Sequence, residues 1–465
     1  MKKILAFLLA VVMVFALVAC AAAPAETAPA AEEAAPAADA AAEAAPAEEA
    51  APAEEAAAAE PVTLTYWLPC NDLDADAAEC TGVIAVARKF MEKYPNITID
   101  MIPISGNSDE SNAKVQMAAA ANNMPDLLSF SFGYTNQWAN TGVIMELSDI
   151  AADIKDNYAT GALDFVNANV DGYWSIPYTS ECQGWAYNTE ILGKYDLEVP
   201  ETFDEFLNVC KVLLENGETP IAHGATDIWA IWGYHALFCQ YGIDPELCNK
   251  IQAGEEDIYS NEAYRKTLAR IQEIADTGAY GDAVSFTSNA EAEAAFINGD
   301  AAIYNFATSF ISELEASEHA DKFVFSYGPQ FDDSIHDETV GMRVFGWCNY
   351  VGSCVEKDPA KLAAVKLWFE YLTGEEGTQV LWDAGTIPGT DLSCVDPSTL
   401  DSFMQTVFTA LNDSSVYSVS DQCVSWYDAS FKAPYRNAVT AIITGATDID
   451  GAMEFLRDWQ TSFVG

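Results

Sequence analysis

Basic side chains are scarce in this chain of 465 residues. It contains 21 Lys and Arg against 71 Asp and Glu, which gives a formal charge of −50 at pH 7. A nucleic-acid-binding protein needs a basic face to neutralise phosphates, and direct binding to anionic lipid headgroups needs one too. The charge balance therefore argues against both kinds of partner. Half of the residues are apolar, so the chain is not a disordered acidic polymer and has enough apolar material for a large core.

Motifs of catalysis and cofactor binding are also missing. The sequence contains no G-x-S-x-G elbow, no P-loop, no G-x-G-x-x-G and no H-E-x-x-H, and its four histidines are dispersed. The spacing of Asp72, Asp74 and Asp76 begins like a calcium loop, but Ala77 and Val83 stand where that loop needs Gly and Glu. We therefore expect no catalytic residue, no metal site and no cofactor.

No C-x-x-C pair occurs among the eleven cysteines, which argues against a thioredoxin-like motif and a paired zinc knuckle. In an exported protein, Cys70 with Cys80, or Cys239 with Cys248, would be close enough in sequence to form disulfides. Fully reduced cysteines are the alternative, and the sequence does not decide between them.

The first residues are typical of a bacterial export signal. Lys2 and Lys3 precede an apolar run over 4–18, which is shorter than the ~20 residues of a membrane-spanning helix. The run ends in Leu-Val-Ala-Cys at 17–20, which resembles the lipobox of bacterial lipoproteins. This resemblance implies a signal peptide over 1–19 and a lipidated Cys20 that carries acyl chains such as palmitate. The protein would then be extracytoplasmic and held at the cell membrane through the lipid anchor only.

The next segment has the composition of a tether. Residues 21–60 comprise 24 Ala, 9 Glu, 5 Pro, one Asp and one Thr. No aromatic or branched aliphatic side chain is present, so the segment has nothing with which to form a core. Prolines and like charges favour an extended chain. We therefore expect residues 20–60 to form a lipid-anchored Ala/Pro/Glu tether.

From residue 61 onward, strand and helix patterns alternate. Strands are predicted at 62–67, 97–101 and 127–132, with helical segments at 83–94 and 110–122 between them. This order is typical of a parallel sheet covered by helices. Further strands are predicted at 184–188, 301–304 and 323–327, and further helices begin at Thr202 and Asp358. The pattern indicates two lobes of α/β class.

Short segments in a fixed order resemble the bacterial extracellular solute-binding proteins of carbohydrate-type ABC importers, the group that contains the maltose-binding proteins. The resemblance spans nearly all of residues 62–465. It implies a two-lobed, periplasmic-binding-protein-like fold of type II, with a ligand cleft between lobes joined by crossing strands. Lobe one would take 62–178 and 330–388, and lobe two 179–329 and 389–465. The segments that carry the resemblance are 87–97, 114–127, 138–147, 176–178, 184–188, 200–206, 296–303, 375–379 and 387–388.

The resemblance implies a monomeric, non-enzymatic receptor that captures a sugar or oligosaccharide and delivers it to the membrane subunits of an ABC permease. A receptor for a polyamine or another small solute is one alternative, because a cation can bind aromatic rings and carboxylates. A surface-anchored glycan hydrolase is a second alternative. Its two catalytic carboxylates are identified by the distance between them in the folded protein, so the sequence alone does not exclude this activity.

Flat aromatic rings and polar groups near strand ends are the expected sugar contacts. Trp232, Trp347 and Trp426 are expected in loops. An anionic ligand usually needs an arginine as its partner, and the chain has six. Four of them are expected on solvent-exposed helix faces, which leaves only Arg343 and Arg436 for the cleft. This small number favours a neutral ligand. The tryptophans assigned to core packing are Trp138, Trp185, Trp368 and Trp459. The predicted ligand-binding residues are Trp67, Asp72, Phe132, Tyr134, Tyr178, Glu181, Trp229, Trp232, Asn305, Phe306, Trp347 and Trp426.

Replacement of Cys20 tests the predicted anchor. Cys20→Ala removes the only thiol that the lipobox would present for acylation, so the variant should leave the membrane fraction of producing cells. Cys423→Ala is the matched control, and it should stay with membranes. Membrane fractionation followed by immunoblotting measures both, and a Cys20→Ala variant that still sediments with membranes contradicts the anchor.

Overall fold

A computed structural model of the chain describes residues 60–70, 72–73, 78–105, 108–158, 161–168, 170–419 and 426–465. The predicted signal peptide, Cys20 and all but the end of the tether lie outside these residues. No helix in the described part of the chain is long and apolar enough to cross a membrane. The described strands are β1 (Val62–Leu68), β2 (Ile97–Pro103), β3 (Leu127–Ser131), β4 (Ile176–Pro177), β5 (Glu181–Asn188), β6 (Ile221–Ala222), β7 (Ile303–Ala307), β8 (Phe323–Ser326), β9 (Val340–Val344), β10 (Trp347–Val351) and β11 (Tyr417–Val419).

Helices surround these strands, and two of them show why the sequence begins a helix where it does. Thr202 accepts a hydrogen bond from the backbone N–H of Glu205 while the Glu205 carboxylate accepts one from the Thr202 backbone, as the capping box predicts. Asp358 caps the helix that starts at Pro359. The helices are α1 (Ala78–Lys93), α2 (Ser108–Ala120), α3 (Thr135–Thr141), α4 (Ser148–Ile154), α5 (Ala162–Val166), α6 (Thr189–Gly193), α7 (Phe203–Glu215), α8 (Trp232–Cys239), α9 (Pro245–Gln252), α10 (Glu262–Asp276), α11 (Asn289–Ile297), α12 (Ile311–Glu315), α13 (Pro359–Thr373), α14 (Glu375–Asp383), α15 (Ser402–Asn412), α16 (Lys432–Ile443) and α17 (Ile449–Val464).

The strands form two separate sheets, one in each lobe. Sheet one has the order β2-β1-β3-β10-β4, and sheet two has the order β11-β9-β5-β7-β6 with β8 also paired to β5. The predicted parallel arrangement is confirmed for β1, β2 and β3. It does not extend to the strands that enter from the other lobe: β10 is antiparallel to β3, and β5 is antiparallel to β7, β8 and β9. A strand that crosses between lobes reverses direction relative to its new neighbours.

The segment 330–388, which the predicted bounds assign to lobe one, contributes to both sheets. Its strand β9 pairs with β5 in sheet two, whereas β10 belongs to sheet one. The chain therefore crosses between Val344 and Trp347. The other lobe bounds remain predictions.

Each sheet is covered by apolar side chains on both faces. The prediction that Trp138, Trp185, Trp368 and Trp459 pack in cores is confirmed, since all four are buried. Trp368 illustrates the packing: its ring meets Tyr66 and Phe90 edge-on, at centroid distances of 5.8 and 5.4 Å. We expect such close-packed cores to make each lobe rigid.

Nine cysteines lie among the described residues, and none of them forms a disulfide. Neither Cys70 with Cys80 nor Cys239 with Cys248 forms a disulfide. Burial raises the pKa of the Cys210 and Cys248 thiols to about 12, which keeps them neutral and unreactive.

Two buried histidines in lobe two predict a loss of stability in acid. Burial lowers the pKa of His223 to about 4 and that of His235 to about 3, and the nearby Arg436 also lowers the pKa of His235. The unfolded chain takes up these protons near pH 6.5, well before the folded chain does. The contribution of the two neutral histidines to the free energy of unfolding is therefore fully present above about pH 6.5, and it is lost as the pH falls toward 4.

Protonation linked to His223 should lower the free energy of unfolding of the wild type by about 2 kcal/mol between pH 7.5 and pH 5. The variant His223→Gln should lack this decrease. Chemical denaturation of the wild type and the variant at both pH values measures it. The comparison uses the difference between the two pH values within each protein, so that a constant cost of the substitution cancels. An equal pH dependence in the two proteins would contradict the assignment.

Candidate functional site

The strand registers bring the carboxyl ends of parallel strands to one edge of each sheet. In sheet one, Leu68 pairs with Pro103, and Ser131 pairs with Trp347, where β10 enters from the other lobe. In sheet two, Val344 pairs with Glu181, so β9 ends where β5 begins. Loops at the carboxyl ends of strands are where open α/β sheets bind ligands. Segments of the chain that cross between the lobes join these two edges. The space between the two edges is the candidate ligand cleft.

Three crossing segments form this junction: 178–180, 345–346 and 387–390. The first lies between the other two. Its Tyr178 N–H donates to the Trp347 carbonyl at 3.0 Å, and the Trp347 N–H donates to Thr179 Oγ1 at 3.0 Å.

On its other side, the first crossing segment bonds to the third. The Ser180 N–H donates to the Ile387 carbonyl at 2.8 Å, and the Gly389 N–H donates to the Tyr178 carbonyl at 3.0 Å. The Ser180 hydroxyl donates to the Pro388 carbonyl at 2.9 Å. The junction is thus narrow and held mainly by backbone hydrogen bonds, as a hinge between two rigid lobes should be.

On the lobe-one edge, four predicted site residues have partly accessible or exposed side chains. Trp67 lies near the end of β1, with the Lys114 ammonium 4.8 Å from its ring centroid. Phe132 follows β3, and Asp72 is exposed beyond β1. Trp347 is half-buried against the sheet-one core. These side chains could present aromatic faces and a carboxylate to a ligand.

Tyr134 also follows β3, but its ring is turned toward its own lobe. It stacks on Trp138 with centroids 5.3 Å apart and planes at 22°, and it meets Phe130 edge-on. Tyr134 therefore supports the edge by packing.

Two predicted site residues lie at the first crossing segment: Tyr178 is its first residue, and Glu181 follows it directly. Tyr178 is buried to 1% exposure, and its hydroxyl shares a hydrogen bond of 2.8 Å with Ser129. Burial raises the pKa of Tyr178 well above its usual value, so the phenol remains neutral. Glu181 is half-buried and accepts a hydrogen bond from the Gln183 amide at 2.6 Å. Of the two, Glu181 retains an accessible polar group.

On the lobe-two edge, Trp229, Trp232 and Phe310 form what we call the aromatic cluster. The Trp229 ring is 5.3 Å from Trp232, and its plane lies within 18° of the Phe310 plane at a centroid distance of 6.4 Å. Trp232 is only 6% exposed, whereas Trp229 is 40% exposed. The accessible flat surface of the cluster is therefore the Trp229 ring, backed by the other two.

Asn305 holds the aromatic cluster in position. Its side-chain amide donates to the Ala230 carbonyl at 2.7 Å and accepts from the Gly233 N–H at 2.6 Å. A Cβ at Gly233 would lie 2.6 Å from the Gly184 carbonyl, so glycine lets α8 approach β5 closely. Asn305 is buried, so it fixes the loop that carries Trp229 and has no exposed side chain with which to contact a ligand.

The remaining predicted site residues lie in lobe two. Phe306 is fully buried and packs on Phe325 and Phe403. Trp426 is half-buried in a turn against the sheet-two core, and its carbonyl accepts from the Gln252 amide at 3.1 Å. The expectation of loops fails for Trp232, which is the first residue of α8, and for Trp347, which is the first residue of β10.

Three aromatic residues near the edges were missed: Phe165, Phe310 and Phe345. Strand β7 ends at Ala307, three residues later than predicted. Asn305 and Phe306 therefore lie inside the strand, and Phe310 is the aromatic residue that follows it. The others depend on tertiary contacts: Phe165 bridges Phe132 and Phe345, at 5.1 and 6.0 Å. No sequence pattern indicates that bridge.

The lobes meet at the cleft, because α1 of lobe one contacts the turn Thr308–Phe310 of lobe two. Aromatic surfaces from both lobes therefore lie around one junction. Among the described residues no group of three or more His, Cys, Asp or Glu is placed to hold a metal ion. The arrangement is suited to holding an organic ligand through ring faces and hydrogen bonds.

Comparison with known proteins gives a family match over much of the chain. The model of the family described as "bacterial extracellular solute-binding protein" matches residues 74–379. An ABC transporter extracellular-binding protein of Pyrococcus horikoshii is 32% identical over 31% of this chain and 34% of its own length. The multiple sugar-binding protein of Streptococcus mutans is 24% identical over 38% and 39%. The chain spans little more than a third of the length of these relatives.

Solved structures match over a larger share of the chain. A chitin oligosaccharide binding protein covers 87% of this chain and all of its own, with a TM-score of 0.70 and 19% identity. Apo RafE from Streptococcus pneumoniae covers 88% of this chain and 99% of its own, with a TM-score of 0.68 and 17% identity. At these identities the similarity establishes the two-lobed fold.

Proposed function

The chain belongs to the bacterial extracellular solute-binding proteins, and on that basis we propose that it captures a sugar or oligosaccharide outside the membrane and delivers it to an ABC permease. The observation that carries the proposal is the placement of accessible aromatic rings on both sides of the crossing segments. The family supports the role of an extracellular solute receptor. Sugar-binding relatives, such as the melibiose/raffinose/stachyose-binding protein of Bacillus subtilis, support the ligand class.

Trp229 is the residue best suited to bind a sugar ring. Sugars present apolar C–H faces that pack on flat aromatic rings, and their hydroxyls need hydrogen-bond partners at the rim. Trp229 offers a 40% exposed indole that is fixed from behind by Trp232 and Phe310. Trp67 and Trp347 lie at the opposite edge, and Glu181 and Asp72 can accept hydrogen bonds from hydroxyls. A saccharide held between these groups would touch both lobes.

Contact with both lobes would couple binding to closure. A ligand that bridges the lobes binds the closed form better than the open form, and so shifts the population toward closure. The permease subunits would then recognise the closed form. This mechanism needs no catalytic group and no cofactor.

Location follows from the family only in part. An extracellular binding protein acts outside the cytoplasm. Attachment through a lipid on Cys20, spacing by the tether over 20–60 and action as a monomer are parts of our proposal, and they are suggested by the lipobox and the composition of residues 21–60.

Trp229→Ala tests the stacking site. A thermal-shift screen against mono- and oligosaccharides and polyamines first identifies a ligand, since a ligand that binds only the folded state raises the melting temperature. The variant should then bind that saccharide at least about tenfold more weakly in isothermal titration, because an aromatic contact and its buried area are lost. The ligand-free melting temperature should change little, because the side chain is partly exposed.

Two controls separate binding from stability. Phe286→Ala removes an aromatic ring that is 84% exposed, and it should change neither property. Trp368→Ala should lower stability by about 3–5 kcal/mol, because its ring is in the sheet-one core. Unchanged affinity in Trp229→Ala would contradict the site, and a ligand that is a polyamine and no saccharide would contradict the ligand class.

A further inference from the structure

Arg343 is a charged residue at the junction, and it forms no salt bridge with any carboxylate among the residues that the structure describes. It lies in β9, two residues before the second crossing segment. One guanidinium N–H donates to Ser180 Oγ at 3.3 Å, and the guanidinium lies 5.3 Å from the ring centroid of Phe345. Its Nε is inaccessible to solvent and has no hydrogen-bond partner. Most of its five N–H donors are therefore unused in the described part of the chain.

The other arginines differ from Arg343 in their partners or their position. Arg265 pairs with Asp450, Arg270 with Asp332 and Asp333, and Arg457 with Glu454. Arg88 is exposed on α1. Arg436 has an unbonded Nε like that of Arg343, but it lies on α16, where its charge acts on the buried His235. Arg343 is the arginine that contacts a crossing segment.

The surroundings of Arg343 do not neutralise it within the described residues. Asp391 is the acidic residue whose charge acts on it, yet the two form no salt bridge, and the Asp391 carboxylate is held by Ser393. Burial lowers the pKa of Arg343, which shows that desolvation outweighs the favourable charges around it. Arg343 is thus a partly buried cation beside the candidate ligand cleft, and no acidic side chain in the described part of the chain forms a salt bridge with it.

An unpaired charge becomes less favourable still when a cleft closes over it and removes water. A neutral ligand would leave that cost in place, whereas a ligand carboxylate would remove it. The planar guanidinium matches the two oxygens of a carboxylate, and one arginine balances one negative charge. A phosphate dianion would need more positive charge than this strongly acidic protein provides there.

We infer that Arg343 recognises a carboxylate of the ligand, and that the ligand is an acidic saccharide containing uronic acid units. The inference rests on the proposed saccharide-binding function and narrows its substrate class. Phe345 holds the guanidinium from one side, and the ring contacts from Phe345 through Phe165 to Phe132 connect Arg343 to the lobe-one edge. The sugar rings would pack on aromatic side chains while their carboxylate pairs with Arg343. This reverses the preference for a neutral ligand that the small number of arginines suggested.

The test compares acidic saccharides with their own neutral esters on the full-length chain. The probes are di- and trimers of galacturonic, mannuronic and guluronic acid, the methyl esters of the same compounds, and raffinose and maltotriose. Thermal shift and isothermal titration should show at least one free acid that binds at least about tenfold more tightly than its methyl ester. In Arg343→Gln this difference between acid and ester should vanish.

Two arginine controls make the result specific. Arg457→Gln makes the same change of charge at a surface ion pair, and Arg436→Gln makes it at the other arginine with an unbonded Nε. Both should keep the tenfold preference for the acid. The wild-type comparison of acid and ester does not depend on any variant folding.

Several results would overturn the inference. The first is that the acid and its ester bind equally well. The second is that neutral saccharides bind and no uronate does. The third is that Arg436→Gln loses the preference for the acid as completely as Arg343→Gln does. In the first two cases the saccharide-receptor function stands and only the acidic class fails. If no saccharide binds and a polyamine does, the proposed function fails together with the inference.

Discussion

The hydrogen bonds of the first crossing segment are the constraint on which the rest of the structure depends. Tyr178, Thr179 and Ser180 bond to Trp347 on one side and to Ile387, Pro388 and Gly389 on the other. Because the same segment continues into β5, its position also sets the register of sheet two against sheet one. We expect the lobes to rotate about this narrow junction.

The cores on either side make that rotation a movement of whole lobes. In lobe one, Asn349 of β10 accepts hydrogen bonds from the Tyr66 hydroxyl at 2.7 Å and from the Trp368 indole at 3.3 Å, which ties the sheet to α13. In lobe two, Asn305 ties β7 to the loop that carries Trp229. Buried polar groups that are bonded in this way fix one arrangement of a core. The aromatic surfaces of the cleft are therefore preformed within each lobe, and we expect closure to change the separation between them.

The sequence predicts the parts of this structure that depend on local pattern. The strands β1, β2 and β3, the capping box at Thr202 and the four core tryptophans follow from periodicity and caps, and the ordered family segments predict the two-lobed fold. Predictions that depended on long-range pairing were less accurate. The antiparallel entry of β5 and β10 and the membership of β9 in sheet two are set by partners far away in sequence. A three-residue error at the end of β7 placed Asn305 and Phe306 beyond the strand and missed Phe310. Both residues lie inside β7, which is buried along its whole length.

Closure of the lobes about the crossing segments is measured most directly by the distance between them. Spectroscopic labels introduced as unnatural amino acids at the exposed Met117 of lobe one and Phe286 of lobe two avoid the native cysteines. Pulsed electron paramagnetic resonance should show one broad distance distribution without ligand and a narrower one, shifted to a different mean, with saturating saccharide. Binding of a saccharide that leaves this distribution unchanged would contradict a ligand site shared between the two lobes.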